Sequence, residues 1–159
     1  MKKSIEIQAP NRPIIKGDMV SVFLAGSIEM GSAEPWQDEM VKMFPHDVLF
    51  YNPRRADWDS NWFESSDQFK EQVNWELDML HNADIILMYF DPSTKSPISL
   101  LELGLFADSG KLFVCCPDGF WRKGNVKIVC ERFDVPLFDT KEEWLKALPA
   151  EFESEYWWS

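Results

Sequence analysis

Residues Ala83-Asp84-Ile85-Ile86-Leu87-Met88-Tyr89-Phe90 form a nearly continuous apolar run, closed by Asp91-Pro92. A strand apolar on both faces must be covered on both faces. That is the situation of a central strand in a parallel sheet. The flanking segments agree with it. Ser21–Ala25 is a first strand, stopped by Gly26-Ser27. Asp47–Tyr51 is a second, stopped by Asn52-Pro53. Lys111–Cys116 and Val135–Phe138 follow the central run as strands, and Ser4–Gln8 is an additional edge strand. Helices are expected from Pro35 to Phe44, Asp67 to Asn82, Ser96-Pro97 to Ser109-Gly110, Asn125 to Arg132, and Thr140 to Leu148. In the second helix Phe69, Val73, Leu77 and Leu80 recur at helical spacing. Ser96-Pro97 reads as an N-cap with proline at the first helical position, and Thr140 with Glu143 as a capping box. Alternating strands and helices with short connections predict an α/β fold. Its sheet is open, doubly wound, mostly parallel and five-stranded.

A chain of 159 residues and 18.6 kDa is expected to form a single domain, residues 1–159, with an acidic, Trp-containing tail over about 149–159. Sixteen basic against 27 acidic residues give a net charge of −11. Nucleic-acid backbones and anionic membranes both need clustered basic charge, so neither is expected as a partner. From Glu131 onward there are eight acids and three bases, so the end of the chain is more acidic than the rest. No apolar run approaches the ~20 residues of a membrane span. Met1–Ile7 is charged, with no long apolar stretch after it, unlike a secretory signal. Cys115, Cys116 and Cys130 are odd in number and partly adjacent, which fits neither a disulfide framework nor a zinc site. Buried reduced thiols in a cytoplasmic protein are expected. Neither the G-x-G-x-x-G nor the G-x-x-x-x-G-K-[ST] pattern is present, and no cofactor or metal is expected.

In open parallel sheets, ligands bind beyond the carboxyl ends of the strands. The residues that follow each strand here are rich in carboxylates, amides and indoles. Such polar groups among aromatic walls suit a flat polar heterocycle or a sugar. Eight tryptophans also serve to fill a core or an oligomer interface, and Trp58 with Trp62 suits a pocket wall or a subunit contact equally. Glu102 lies in the apolar helix segment Ile98–Phe106. It is either solvated on a narrow polar stripe or partly buried for a purpose. Burial would raise its pKa, and the nearby helix N-terminus would favour its anion. Glu76 borders the apolar stripe of the preceding helix. Arg54-Arg55 suits an anion or an ion pair, and Asp57 with Asp59 lacks further residues at metal spacing. His46 and His81 carry no signal.

Several segments together resemble the nucleoside 2-deoxyribosyltransferase-like family. They are Phe23–Ile28 with Glu34–Gln37, Asn52–Arg55 with Asp57–Asp59, Gln72–Leu77, and Ser96–Gly104. The likeness spans about residues 22–130. It implies a flavodoxin-like or Rossmann-like sandwich and cleavage of the N-glycosidic bond of a deoxynucleoside. A glutamate in the family's E-L-G motif attacks the anomeric carbon, and the sugar passes to another base. Glu102 in Glu102-Leu103-Gly104 matches that nucleophile. Glu76 matches the carboxylate that handles the leaving-group proton, where the well-studied transferases have Asp. The implied substrate-binding set is Phe23, Gly26, Ser27, Ile28, Asn52, Arg54, Asp57, Trp58, Asp91, Ser96 and Asn125. Asn125 has the spacing of an asparagine donated by a neighbouring subunit. The implied partners are therefore a nucleoside, a free nucleobase and further copies of the chain sharing the site.

Three departures set this chain apart. Phe23 stands where the transferases carry an aromatic hydroxyl. Ser96 stands where they carry Asp, as in the 5′-monophosphate N-glycosidase branch. Glu29 stands where that branch carries arginine, and a carboxylate there repels phosphate. The alternatives to transfer are an N-glycosidase acting on a nucleoside or its 5′-monophosphate, and an inactive nucleoside- or nucleotide-binding module.

Overall fold

A computed structural model of the chain describes residues 4–13, 17–28, 35–44, 47–55, 61–63 and 65–153, the last five by their backbone alone. Its strands are β1 (Ile5–Gln8), β2 (Val20–Gly26), β3 (Val48–Asn52), β4 (Ile85–Tyr89), β5 (Leu112–Cys115) and β6 (Leu137–Phe138). Its helices are α1 (Trp36–Met43), α2 (Asp67–Asn82), α3 (Pro97–Phe106), α4 (Lys123–Arg132) and α5 (Lys141–Glu153). A 3-10 turn, Ala107–Ser109, closes α3 at Gly110, whose φ of +73° is the left-handed conformation glycine tolerates.

The sheet order is β1-β3-β2-β4-β5-β6, and every neighbouring pair runs parallel. The last five strands have the 2-1-3-4-5 order consistent with a flavodoxin-like arrangement. The expected five strands become six because the edge segment pairs fully with β3, from Ile5 opposite Leu49 to Gln8 opposite Asn52. Glu6 secures this edge through its carboxylate, which accepts from the Asn52 side chain at 3.1 Å.

β4 is buried along its whole length, as its composition demands. Alternation divides its side chains between two cores. Ile86, Met88 and Phe90 join Phe23, Trp75, Leu103 and Val126 beneath α2, α3 and α4. Ile85, Leu87 and Tyr89 join Val22, Trp36, Phe50 and Trp144 beneath α1 and α5. Helices thus cover both faces of the sheet. Three of the tryptophans, Trp36, Trp75 and Trp144, are essentially unexposed core. Trp36 and Trp144 lie 5.7 Å apart between ring centroids, each against Tyr89. The three cysteines are buried free thiols, which burial pushes up to about 11–12. Among the described residues, no helix is long and apolar enough to cross a membrane.

Strand order reverses between β2 and β4. The chain leaves β2 toward α1 on one face and leaves β4 toward α3 on the other. A crevice therefore opens beyond the carboxyl ends of these two strands.

Candidate active site

α3 begins where the loop after β4 ends. Its sequence is apolar nearly all round, so amphipathicity alone does not choose its buried face. The helix turns Ser99, Glu102 and Leu103 inward and leaves Ile98, Leu101 and Leu105 more than half exposed. Glu102 is only 8% exposed. Of the two readings left open by its sequence, burial holds. Its Oε2 is buried and has no hydrogen-bond partner among the described residues. Desolvation pushes its pKa well above the usual carboxylate range, and the charge of Glu76 adds to the shift. The α3 N-terminus, which acts the other way, does not offset burial.

Glu76 comes from α2, whose observed bounds match the expected helix. Its buried face differs from the expected one. Gln72, Trp75, Met79 and Leu80 point inward, whereas Val73 and Leu77 are 37% and 41% exposed. Trp75 decides the rotation. Its large ring packs 6.1 Å from that of Phe23, and its indole N–H donates to the Asn11 carbonyl at 2.7 Å. No smaller side chain on the opposite face offers a comparable burial. The rotation draws Glu76 inward, and burial raises its pKa to about 7, against a lowering hydrogen bond. That bond comes from Gln72, whose Nε2 donates to Glu76 Oε1 at 3.0 Å.

Three hydroxyls close the crevice between β2 and β4. Ser27 Oγ lies 2.9 Å from Thr94 Oγ1 and 2.6 Å from Ser96 Oγ, and the last two are 2.7 Å apart. Thr94 also donates to the Asp91 carbonyl at 2.9 Å, and Ser27 Oγ accepts from the Asp91 N–H at 2.8 Å. The three hydroxyls thus form one closed, buried cluster. The expected Ser96 side-chain cap does not form. Ser96 holds φ +46° at the start of α3, and its hydroxyl turns to this group instead. The group fixes the helix that carries Glu102. Ser27→Ala leaves the buried Asp91 N–H without its acceptor. It is expected to cost about 1–3 kcal/mol in urea unfolding, and an unchanged midpoint would contradict the role.

Gly26 precedes this group. Its φ is +128°, and a Cβ there would collide with the Tyr89 carbonyl and come within 2.7 Å of its nitrogen. Only glycine lets β2 end this close to β4.

The other candidate residues are placed more variously. Phe23 is core, against Trp75. Ile28 is half-buried after Ser27. Asn52 is fully buried and committed to local structure, since its side chain binds Glu6 and accepts the Arg54 N–H at 3.0 Å. Arg54 Nε donates to Gln37 Oε1 at 2.9 Å. Asp91 accepts both the N–H and the hydroxyl of Ser93, within its own turn. Asn125 is exposed on α4. Asp57 and Trp58, with Glu29, His46 and Asp59, lie outside the described residues. Trp62 sits under the Arg55 guanidinium, 4.9 Å from its ring centroid.

Gln37 and Gln72 lie in the family-like segments with no role implied for them, and Thr94 lies in the loop after the central strand, likewise without one. For Gln72 the available signal was its place four residues before Glu76 on the same helix. A crevice of about 460 Å³ between α4 and β6 is lined by Lys123, Lys127, Cys130, Glu131 and Leu137, and by neither candidate carboxyl. The Lys123 ammonium is held there by Asp118 at 2.6 Å and Asp139 at 2.7 Å.

The family described as nucleoside 2-deoxyribosyltransferase like matches residues 19–120. That span includes both carboxyls and all three hydroxyls. A conserved protein from Enterococcus faecalis V583, of known crystal structure, superposes with a TM-score of 0.61 at 12% identity. The alignment covers 84% of this chain and 99% of that one. Likeness at that identity is a likeness of fold. No curated protein matches the chain.

Proposed function

The chain belongs to the nucleoside 2-deoxyribosyltransferase-like family, and from that premise we propose that it transfers a deoxyribosyl group between bases through Glu102. The observation that carries this reading is the buried Glu102, with a carboxyl oxygen unpartnered among the described residues, whose ionisation is opposed by the charge of a second, half-buried carboxyl, Glu76. A core glutamate with a buried, unpartnered oxygen is costly to fold around. Its placement makes sense as a group kept for chemistry.

In the reaction, the Glu102 carboxylate attacks the anomeric carbon. The bond from that carbon to the base nitrogen breaks, and its electron pair stays on the base. Glu76, in its acid form, gives the leaving nitrogen a proton. A second base then attacks the same carbon and releases Glu102. Two displacements at one carbon retain its configuration. With Arg54 held by Gln37, and Arg55 by Glu71 at 3.2 Å, the nearby cations are already engaged. That favours a free nucleoside over a 5′-monophosphate.

The test is incubation of the protein with a deoxynucleoside and a different free base, followed by chromatography. Appearance of the exchanged nucleoside supports transfer. Release of base without an added acceptor assigns hydrolysis instead. Neither outcome across the common deoxynucleosides would favour a binding module.

The homo-oligomer with a shared site belongs to the same reading. Ile98, Leu101 and Leu105 form an apolar stripe on the outer face of α3, and Val73 and Leu77 lie exposed on the same side of the sheet. Burying each such side chain is worth about 1.5–3 kcal/mol. A second copy of the chain is the occupant proposed here, bringing Asn125 toward the site. Leu101→Glu is expected to convert the assembly to monomers in analytical ultracentrifugation. A monomeric wild type would contradict it.

A further inference from the structure

The amide of Gln72 has only one possible orientation. Its Nε2 donates to the Pro53 carbonyl at 3.0 Å and to Glu76 Oε1 at 3.0 Å. Its Oε1 lies 3.5 Å from Arg55 Nη1, a group that can only donate. Turning the amide over would set oxygen against the Pro53 carbonyl and N–H against a guanidinium. Gln72 is buried, so water does not relieve either conflict. One donor is therefore permanently aimed at Glu76. The partner carboxyl is in the opposite situation, with Glu102 Oε2 buried and no donor supplied to it among the described residues.

A donor held on one of two coupled carboxyls favours the anion there, and a donorless apolar setting favours the acid. We propose that Gln72 is a positioning residue that keeps Glu76 ionised in the empty site, so that the proton shared by the pair rests on Glu102. This proposal rests on the reading of Glu102 as the nucleophile. Before attack, Glu102 hands that proton to Glu76, which changes from carboxylate to acid as Glu102 changes from acid to carboxylate. Glu102 then bonds to the anomeric carbon, and the departing base nitrogen takes the bond's electron pair and the proton from Glu76. The step ends with a glutamyl ester, a Glu76 carboxylate and a neutral base. One proton thus unmasks the nucleophile and then leaves with the base, and transfer to the second base runs the same path backward.

The charged groups around the pair are few among the described residues. Glu102 faces Glu76 from α3. Arg55 approaches through Gln72 from the loop after β3, with its charge shared by Glu71. Farther along α2, Asp78 pairs with Arg12 at the surface.

The test is a carboxyl-carbon NMR titration of the empty protein with carbon-13-labelled glutamate, from pH 5 to 9. Glu76→Gln and Glu102→Gln identify the two signals. Glu76 is expected to ionise at lower pH than Glu102. In Gln72→Met its midpoint should rise by roughly half to one pH unit, and that of Glu102 should fall. Gln72→Asn, which withdraws the donor by one methylene, should act in the same direction if the methionine variant does not fold. Glu102 ionising first, or a Glu76 midpoint indifferent to the folded Gln72 variant, would overturn the proposal. The titration uses no substrate. Failure to exchange bases would therefore overturn the reaction and leave this result standing, and an active enzyme whose Glu76 ignores Gln72 would overturn the positioning role alone.

Discussion

Glu102→Gln is expected to abolish base exchange and, at the same time, to make the protein more stable above neutral pH. The first effect follows from chemistry. An amide oxygen is too poor a nucleophile to form the glycosyl-enzyme, and loss of a nucleophile typically costs at least about 10³-fold in rate. The second follows from burial. An acid whose pKa is raised on folding favours the native state fully below its unfolded pKa, and that contribution is lost as pH rises through the folded pKa. Glu76 moves from 4.5 to about 7. It alone therefore makes stability fall between about pH 4.5 and 7, by up to about 3 kcal/mol. Glu102 is raised well above its usual value, which extends the fall to higher pH. Glutamine at position 102 has no charge to bury. Melting temperatures of the wild type should decline from pH 5.5 to 8.5, and those of the variant should decline less. Equal slopes would mean that Glu102 is not desolvated, and retained exchange would remove it from the reaction.

Gly26→Ala is expected to have the largest effect on stability. With φ at +128°, position 26 sits where an L side chain is strained. The added Cβ would also meet the Tyr89 backbone of the adjacent strand, which cannot turn aside as a side chain can. Relief requires β2 to separate from β4 where their registers end, at Gly26 opposite Tyr89. The Ser27 N–H, which donates to the Tyr89 carbonyl at 2.9 Å, would be drawn away with it. Strain and a lost buried bond together are expected to exceed about 3 kcal/mol. Urea unfolding measures this, and a midpoint within error of the wild type would show that the strand ends adapt freely.

Sheet architecture was largely legible because the run from Ile85 to Phe90 admits little else, and strand–helix alternation follows on either side. α2 was expected with its observed ends. Its orientation was not, since the stripe Phe69, Val73, Leu77 and Leu80 scores well as an apolar face. Trp75 and Met79 define a second face, and only the partner surface around Phe23 chooses between them. The same limit applied to α3. Its apolar residues cover nearly every direction, so sequence left Glu102 either solvated or buried, and packing turned Ser99, Glu102 and Leu103 in and Ile98, Leu101 and Leu105 out. The Ser96 hydroxyl was expected to cap its helix because Ser-Pro is a strong local signal. Ser27, distant in sequence, and Thr94, two residues earlier in the same loop, compete for that hydroxyl and win. Gln72 and Glu76 are neighbours one helical turn apart, but Pro53 and Arg55, which fix the orientation of the amide, join them only in the folded chain. Position along the chain located Glu76 and Glu102. Their coupling, and the donor fixed on only one of them, depend on tertiary structure.

Covalent attachment of the sugar to Glu102 is the step on which the proposed reaction depends. It is tested most directly by quenching the protein with acid during turnover of a deoxynucleoside in the absence of acceptor base, and measuring the intact and peptide masses. The expected result is the mass of one deoxyribosyl unit added to the peptide that contains Glu102, discharged when a second base is supplied before the quench. Base release or exchange at a measurable rate with no adduct on that peptide, or with the adduct on another residue, would contradict it.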